Sequence, residues 1–242
     1  MKWADDGIFL AGRPHGETSA IANIFTRDNG RTLGLVKGGR SRRLRPLLQT
    51  GNCLRVEWRA RLEEQLGVYT VELAGAHAAR VLDDQLALAG LSTLAALLQI
   101  LPERDPHPML FDAAMACLVL AGAKSFAAAM IRFELRFLEE LGFGLDLSKC
   151  AATGSNDDLI YVSPRSGQAV SRDAGAPYRD KLLPLPGFLK SELGTDEPPA
   201  GELAEGFAMT GYFLSAHVFS EDGRPMPRAR EDFERVLKRK GG

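Results

Sequence analysis

The hydrophobic period of this chain changes near residue 78, from strand-like to helical, and a fold of a single class cannot satisfy both sides of the change. From Gly7 to Leu73 the apolar residues alternate or run in short blocks bounded by turn residues, which is the pattern of strands. Gly7–Arg13 is apolar through Ile8, Phe9 and Leu10. Ala20–Arg27 places Ile21, Asn23 and Phe25 on one side and Ala22, Ile24 and Thr26 on the other. Asp28-Asn29-Gly30 reads as a tight hairpin turn, because Asn-Gly tolerates positive φ. Thr32–Lys37 is then the return strand, and Gly51–Trp58 and Gly67–Leu73 supply two more. Five short strands with one long connection fit a small β-barrel of the oligonucleotide-binding (OB) type. A small open sheet or an SH3-like barrel remains open at this point.

From Ala79 the period is helical. Leu82, Leu86, Ala89, Thr93, Ala96 and Leu97 recur at that spacing through to Leu101, where Pro102-Glu103-Arg104-Asp105-Pro106 breaks the chain. A second helix is expected from about Pro108 to Leu120. A third should run from Ser125, as N-cap, to Gly142. The third presents Phe126, Met130, Phe133, Phe137 and Leu141 along one stripe and Ile131, Leu135 and Leu138 along another, wide enough for a bundle. Residues 143–200 are rich in Gly and Pro and hold one expected hairpin, Leu159–Ser163 with Gln168–Ser171. Helices return at about Glu202–Phe219 and Arg228–Lys240. The expected fold class is therefore α+β, with an OB-type barrel domain at 1–78 and a helical domain at 79–242 containing an irregular insertion at about 144–200.

Charge is distributed unevenly. The chain carries 30 basic and 31 acidic side chains, yet residues 1–75 hold 12 of the basic and only 8 of the acidic ones. No acidic residue lies between Asp28 and Glu57. Lys37, Arg40, Arg42, Arg43 and Arg45 stand within nine positions, opened by Gly38-Gly39 and closed by Pro46. A loop this basic on a near-neutral molecule is the footprint of a polyanion-binding face, because each cation placed on a phosphate releases condensed counterions. These five are the expected DNA contacts, with Arg13, Arg27 and Arg31 as outer contributors. Ordinary strand-edge charge is the competing account of the outer three, and a solubilising loop is that of the five. Aromatic platforms for bases are scarce. Of Trp3, Phe9, Phe25, Trp58 and Tyr69, Phe9 and Phe25 lie in core patterns and Trp58 and Tyr69 are the better surface candidates; so few rings make charge the main source of affinity.

Other classes are excluded or unsupported. No apolar run approaches the roughly 18 residues that span a bilayer. Met1-Lys2-Trp3-Ala4-Asp5-Asp6 has no apolar core, so no secretory signal is expected. Cysteines 53, 117 and 150 are odd in number and scattered, which fits a reducing cytoplasm. No phosphate loop, H-E-x-x-H or G-x-S-x-G is present, and the four histidines stand apart in sequence. Neither an enzyme nor a cofactor is expected.

Several segments are familiar as an ordered set. Gly7-Ile8-Phe9-Leu10, Gly16-Glu17-Thr18-Ser19, Phe25-Thr26-Arg27-Asp28-Asn29-Gly30-Arg31 and Val36-Lys37-Gly38-Gly39-Arg40-Ser41-Arg42-Arg43 resemble the N-terminal domain of the RecO family of bacterial recombination mediators. Arg132-Phe133-Glu134-Leu135, Leu138, Leu141-Gly142-Phe143 and Cys150 resemble that family's central helix and the segment after it. Pro227-Arg228-Ala229-Arg230 fits its last helix.

The resemblance implies an OB barrel, a helical bundle and a zinc-finger-like insertion. It implies a cytoplasmic, nucleoid-associated protein that binds single- and double-stranded DNA and anneals complementary strands. It further implies contacts with the C-terminal tail of single-strand-binding protein (SSB) and with RecR, and indirect help to RecA. Alternatives of other classes are a protein–protein adaptor and an RNA-binding factor. The implied SSB-tail site needs a cation beside an apolar hole. Arg132, flanked by Ile131 and Phe133, matches the family segment, with Arg136 one turn on and Lys124 before the helix. The plain reading of Arg136 is an i,i+4 pair with Glu140. Many family members carry four cysteines that bind zinc in the insertion. Here Cys150 stands where the first would be, Thr153 follows three on, and Ala169, Val170 and Ser171 occupy the second stretch. No metal is therefore expected, and packing of Leu159, Tyr161 and Val170 should hold the hairpin.

Overall fold

A computed structural model describes residues 1–62, 65–190, 198–220 and 223–241. The chain divides into two compact units, Met1–Gly122 and Ala123–Gly242.

The first unit is built on a closed five-stranded barrel. Its strands are β1 (Lys2–His15), β2 (Ser19–Thr26), β3 (Gly30–Val36), β4 (Cys53–Arg59) and β5 (Gly67–Gly75), in the order β1-β2-β3-β5-β4. All pairings are antiparallel except the short parallel register of Gly34–Val36 on Gly67–Tyr69 that closes the barrel. The first strand is longer than the apolar block suggests. Lys2–Asp6 is polar but pairs with Arg55–Arg59, so backbone pairing rather than apolar content sets its start. The β2–β3 turn also differs from a two-residue hairpin. Thr26 pairs with Gly30 across three residues, and Gly30 alone adopts positive φ, at 63°.

The core joins Phe9, Ala22, Ile24, Val36, Leu54, Val56, Trp58, Tyr69 and Val71. Trp58 and Tyr69, expected at the surface, are only 1% and 2% exposed. Each ring fills a space left by a glycine: a Cβ at Gly67 would strike the Trp58 ring, and one at Gly34 the Tyr69 ring. The polar tips are satisfied inside the barrel, Trp58 Nε1 donating to Leu33 O and the Tyr69 hydroxyl to Thr32 O.

The expected first helix is two. Helix α1 (His77–Arg80) is a single turn, and α2 (Gln85–Leu98) starts afresh at Asp84, whose carboxylate accepts from the Leu86 and Ala87 N–H groups. Helix α3 (Pro108–Leu120) has the expected bounds and rests on the barrel through Phe111, 5.8 Å from the Phe25 ring.

The second unit contains α4 (Phe126–Glu140) and the hairpin β6 (Leu159–Val162) and β7 (Ala169–Ser171), followed by α5 (Arg172–Gly175), a 3₁₀ helix at Ala176–Lys181 and strand β8 (Leu183–Pro184). Strand β8 pairs with β6 to give a small sheet ordered β7-β6-β8. Helix α6 (Ala200–Phe213) ends in a wide turn at Leu214–Phe219, and α7 (Arg228–Gly241) follows. Leu159 and Val170 are buried and Tyr161 half-buried, so the hairpin has the packing expected of it. The stretch 191–197 of the insertion lies outside the described residues.

Candidate nucleic-acid interface

The basic stretch after β3 has no regular secondary structure, but it is anchored. Leu44, Leu47 and Leu48 pack against the barrel core. One helical turn places them there, with Arg45 N–H donating to Ser41 O, and the Leu47 and Leu48 N–H groups to Leu44 O. Asn52, buried, holds the far end: Nδ2 donates to Pro46 O and Leu47 O, and Oδ1 accepts from Ala78 N–H. Thr50 Oγ1 donates to Leu10 O. The near end is tied by Arg40, whose backbone N–H donates to Thr18 O and whose guanidinium donates to Gly16 O and Glu17 O. The spacing Leu44–Leu47–Leu48 was the signal for this anchoring in the sequence, hidden among the arginines.

With the leucines turned in, the cations face water. Arg13, Lys37, Arg42, Arg43 and Arg45 are exposed, and no ion pair among the described residues holds them. A groove of about 550 Å³ runs between the Gly12–Pro14 stretch of β1 and the loop. Arg13, Arg40 and Arg45 line it together with Ala20, Gln49 and Thr50, and no carboxylate does. The fold thus brings Arg13 to the loop cations across the barrel end.

Two of the outer arginines are held by the protein itself. Arg27 makes paired hydrogen bonds to Asp112 at 3.1 and 3.0 Å and lies 3.6 Å from Asp28. Hydrogen bonding and charge from Asp112 raise its pKa, and the same contact lowers that of Asp112. Arg31 donates to Leu101 O at 2.8 Å and lies 3.6 Å from Glu103, with most of its side chain covered. Both fasten the barrel to the segment around α3.

In the second unit, Arg132 and Arg136 border a groove of about 380 Å³ with Leu135, Glu139, Leu145, Leu147 and Leu189. Arg132 donates to Phe188 O at 3.0 Å and lies 5.3 Å over the Phe188 ring. Arg136 pairs with Glu139 at 2.7 Å, one residue short of the expected Glu140. Lys124 is exposed ahead of α4 and does not line the groove. A cation beside leucines is the composition that an apolar C-terminal residue with its carboxylate requires.

Around Cys150 the donors are hydroxyls and backbone N–H groups. Ser171 N and Oγ lie 3.3 and 3.4 Å from the sulfur. Burial raises the thiol pKa, but hydrogen bonds from the Ser171 and Thr153 hydroxyls and from the Ser171 and Ala152 N–H groups outweigh it and bring it down to about 6. Structural zinc takes four thiolate or imidazole ligands, and one thiolate among hydroxyls does not fit it. No cluster of three or more His, Cys, Asp or Glu among the described residues is placed to hold a metal. None of the helices in the described residues is long and apolar enough to cross a membrane.

The chain matches two family models, "Recombination protein O N terminal" over residues 1–76 and "Recombination protein O C terminal" over residues 82–224. It is 51% identical over 241 residues to the DNA repair protein RecO of Methylorubrum extorquens strain PA1, covering 96% of this chain and 97% of the relative. It is 50% identical over 240 residues to that of Mesorhizobium japonicum, covering 99% and 94%, and 51% identical to that of Rhizobium etli, covering 96% and 91%. With the barrel, the basic loop and most of the helical unit within the matched residues, the chain belongs to the RecO family of recombination and DNA-repair proteins.

Proposed function

We propose that this chain binds DNA through its first unit as a non-enzymatic recombination mediator. The observation that carries the reading is the set Arg13, Lys37, Arg42, Arg43 and Arg45, exposed and without ion pairs among the described residues, on a loop pinned by three leucines and Asn52. Arg40 works from inside the same loop, ordering it through the 16–17 carbonyls while bordering the groove. A loop already ordered loses little entropy when phosphates arrive. Phosphates are common to single strands and duplex, so both are bound, and contacts of this kind carry no sequence information.

Annealing follows from the same chemistry: cations that neutralise two complementary strands lower the repulsion between them. The groove beside Arg132 receives the acidic, apolar-ended tail of SSB. RecR is the second protein partner, and through these contacts the chain assists RecA on SSB-coated strands. The test is annealing of complementary oligonucleotides coated with SSB, with wild type and with Arg42→Ala/Arg43→Ala. The variant should anneal more slowly, and wild-type rates in a folded variant would reject the proposal. Equal competition by RNA and DNA would favour an RNA-binding factor instead.

A further inference from the structure

We infer that the 3₁₀ helix at Ala176–Lys181 in the second unit is a stacking platform for the bases of single-stranded DNA, centred on Tyr178. Large aromatic rings are costly to leave in water, and most here are not. Trp58, Tyr69, Phe25 and Phe207 are fully covered. Tyr178 is 61% exposed. Tyr212 is the other exposed aromatic among the described residues, and it packs edge-on against Phe213 at 5.4 Å.

The segment that carries Tyr178 has no packing role of its own, since none of its six residues is buried. It is nevertheless held in shape at both ends. Gly175 precedes it under the Tyr161 ring, so closely that a Cβ there would lie 2.5 Å from the ring. Leu183 and Pro184 follow it into β8, paired with Val162 and Tyr161 of β6. Pro177 fixes its first turn.

Charge on this helix suits a strand's backbone. In a 3₁₀ helix side chains three apart eclipse, so Tyr178 and Lys181 share a face, with Arg179 on the next. Asp180 takes the third and lies 3.6 Å from Arg179 as a solvated pair. Arg172 is already held by Asp158 at 2.7 Å and takes no part. Single-strand binders combine aromatic rings, on which bases lie, with cations that meet the phosphates, and Tyr178 and Lys181 offer one of each. Duplex offers no free base face, so the platform selects single strands. The proposed loop interface of the first unit lacks that selectivity.

The experiment uses full-length protein and oligonucleotides carrying one 2-aminopurine, a fluorescent base whose emission reports stacking. Tyr178→Ala should lower single-strand affinity about fivefold or more, by the scale of one stacked base, and abolish the emission change. Tyr178→Phe should keep both, and duplex affinity should be unchanged in each. Wild-type single-strand affinity and emission in Tyr178→Ala would overturn the inference, as would an equal loss on duplex. Lys37→Ala/Arg42→Ala/Arg43→Ala, assayed alongside, separates the two sites. If the loop reading fails, that triple variant binds as wild type while Tyr178→Ala does not. If the platform fails, the reverse holds.

Discussion

Arg230 of α7 and Glu134 of α4 form a buried, two-point ion pair. Arg230 Nε donates to Glu134 Oε1 at 2.8 Å and Nη2 to Oε2 at 2.9 Å, with the side chains 3% and 0% exposed. Nη2 also donates to Phe207 O at 2.8 Å, and the Thr210 hydroxyl donates to Glu134. Three helices, α4, α6 and α7, are thereby fixed at one point. A charge left alone here has no water to turn to. Glu134→Ala or Arg230→Ala should destabilise the second unit by about 3–5 kcal/mol, read from urea unfolding. A loss under about 1 kcal/mol would mean that water reaches the pair.

Asn52 is the corresponding pin of the first unit. Its side chain satisfies two carbonyls of the loop and the Ala78 N–H in the single turn of α1. Asn52→Ala should cost about 1–3 kcal/mol of stability, the penalty for leaving such groups unpaired. It should also weaken DNA binding, because the loop must then be ordered by the ligand. Denaturant unfolding and anisotropy titration on the same variant check both. Loss of stability with intact affinity would separate the loop's order from binding.

Cys150 should show its environment in pH. Its thiol is held down to about 6, whereas burial and then the Asp6 charge push the Cys53 thiol up to about 11. The difference in 240 nm absorbance between wild type and Cys150→Ser should therefore titrate near pH 6. A folded pKa below the unfolded value adds stability that is complete above the unfolded thiol's pKa of about 8.5 and is lost as pH falls through the folded value. The stability of wild type over Cys150→Ser should rise with pH across that window. A difference titrating at or above pH 8.5 would contradict the hydrogen-bonded thiolate.

The groove beside Arg132 is tested with a labelled peptide of the SSB tail. Arg132→Ala should lower its affinity at least about 30-fold, the scale of a hot-spot arginine at 2 kcal/mol or more. Arg136→Ala should do less, since that guanidinium is already shared with Glu139 at 2.7 Å. Unchanged affinity in a folded Arg132→Ala would remove this residue from the site.

The period change, the five strands and the bounds of α3 could be read from sequence because each rests on local spacing. What was hidden depends on partners far along the chain. Trp58 and Tyr69 look like surface rings until Gly67 and Gly34 are seen beneath them. Arg27 and Arg31 look like free cations until Asp112 and Glu103 arrive from residues about the helices. Arg40 is as basic as its neighbours, and only the Gly16 and Glu17 carbonyls mark it as a tie within the loop. The loop's positive charge was legible because a stretch of cations without an acidic residue needs no distant partner to be recognised.

The most direct test of the DNA-binding reading is an anisotropy titration of a labelled single strand against salt. Wild type is compared with Lys37→Ala/Arg42→Ala/Arg43→Ala, three exposed residues whose loss spares the loop's ties. The logarithm of the wild-type binding constant should fall linearly with the logarithm of salt concentration. The variant should bind more weakly by a similar factor on every sequence, with a slope shallower by about two units, near 0.7 per lost contact on a single strand. Equal affinity and equal slope in the two proteins would contradict the claim that this loop holds DNA.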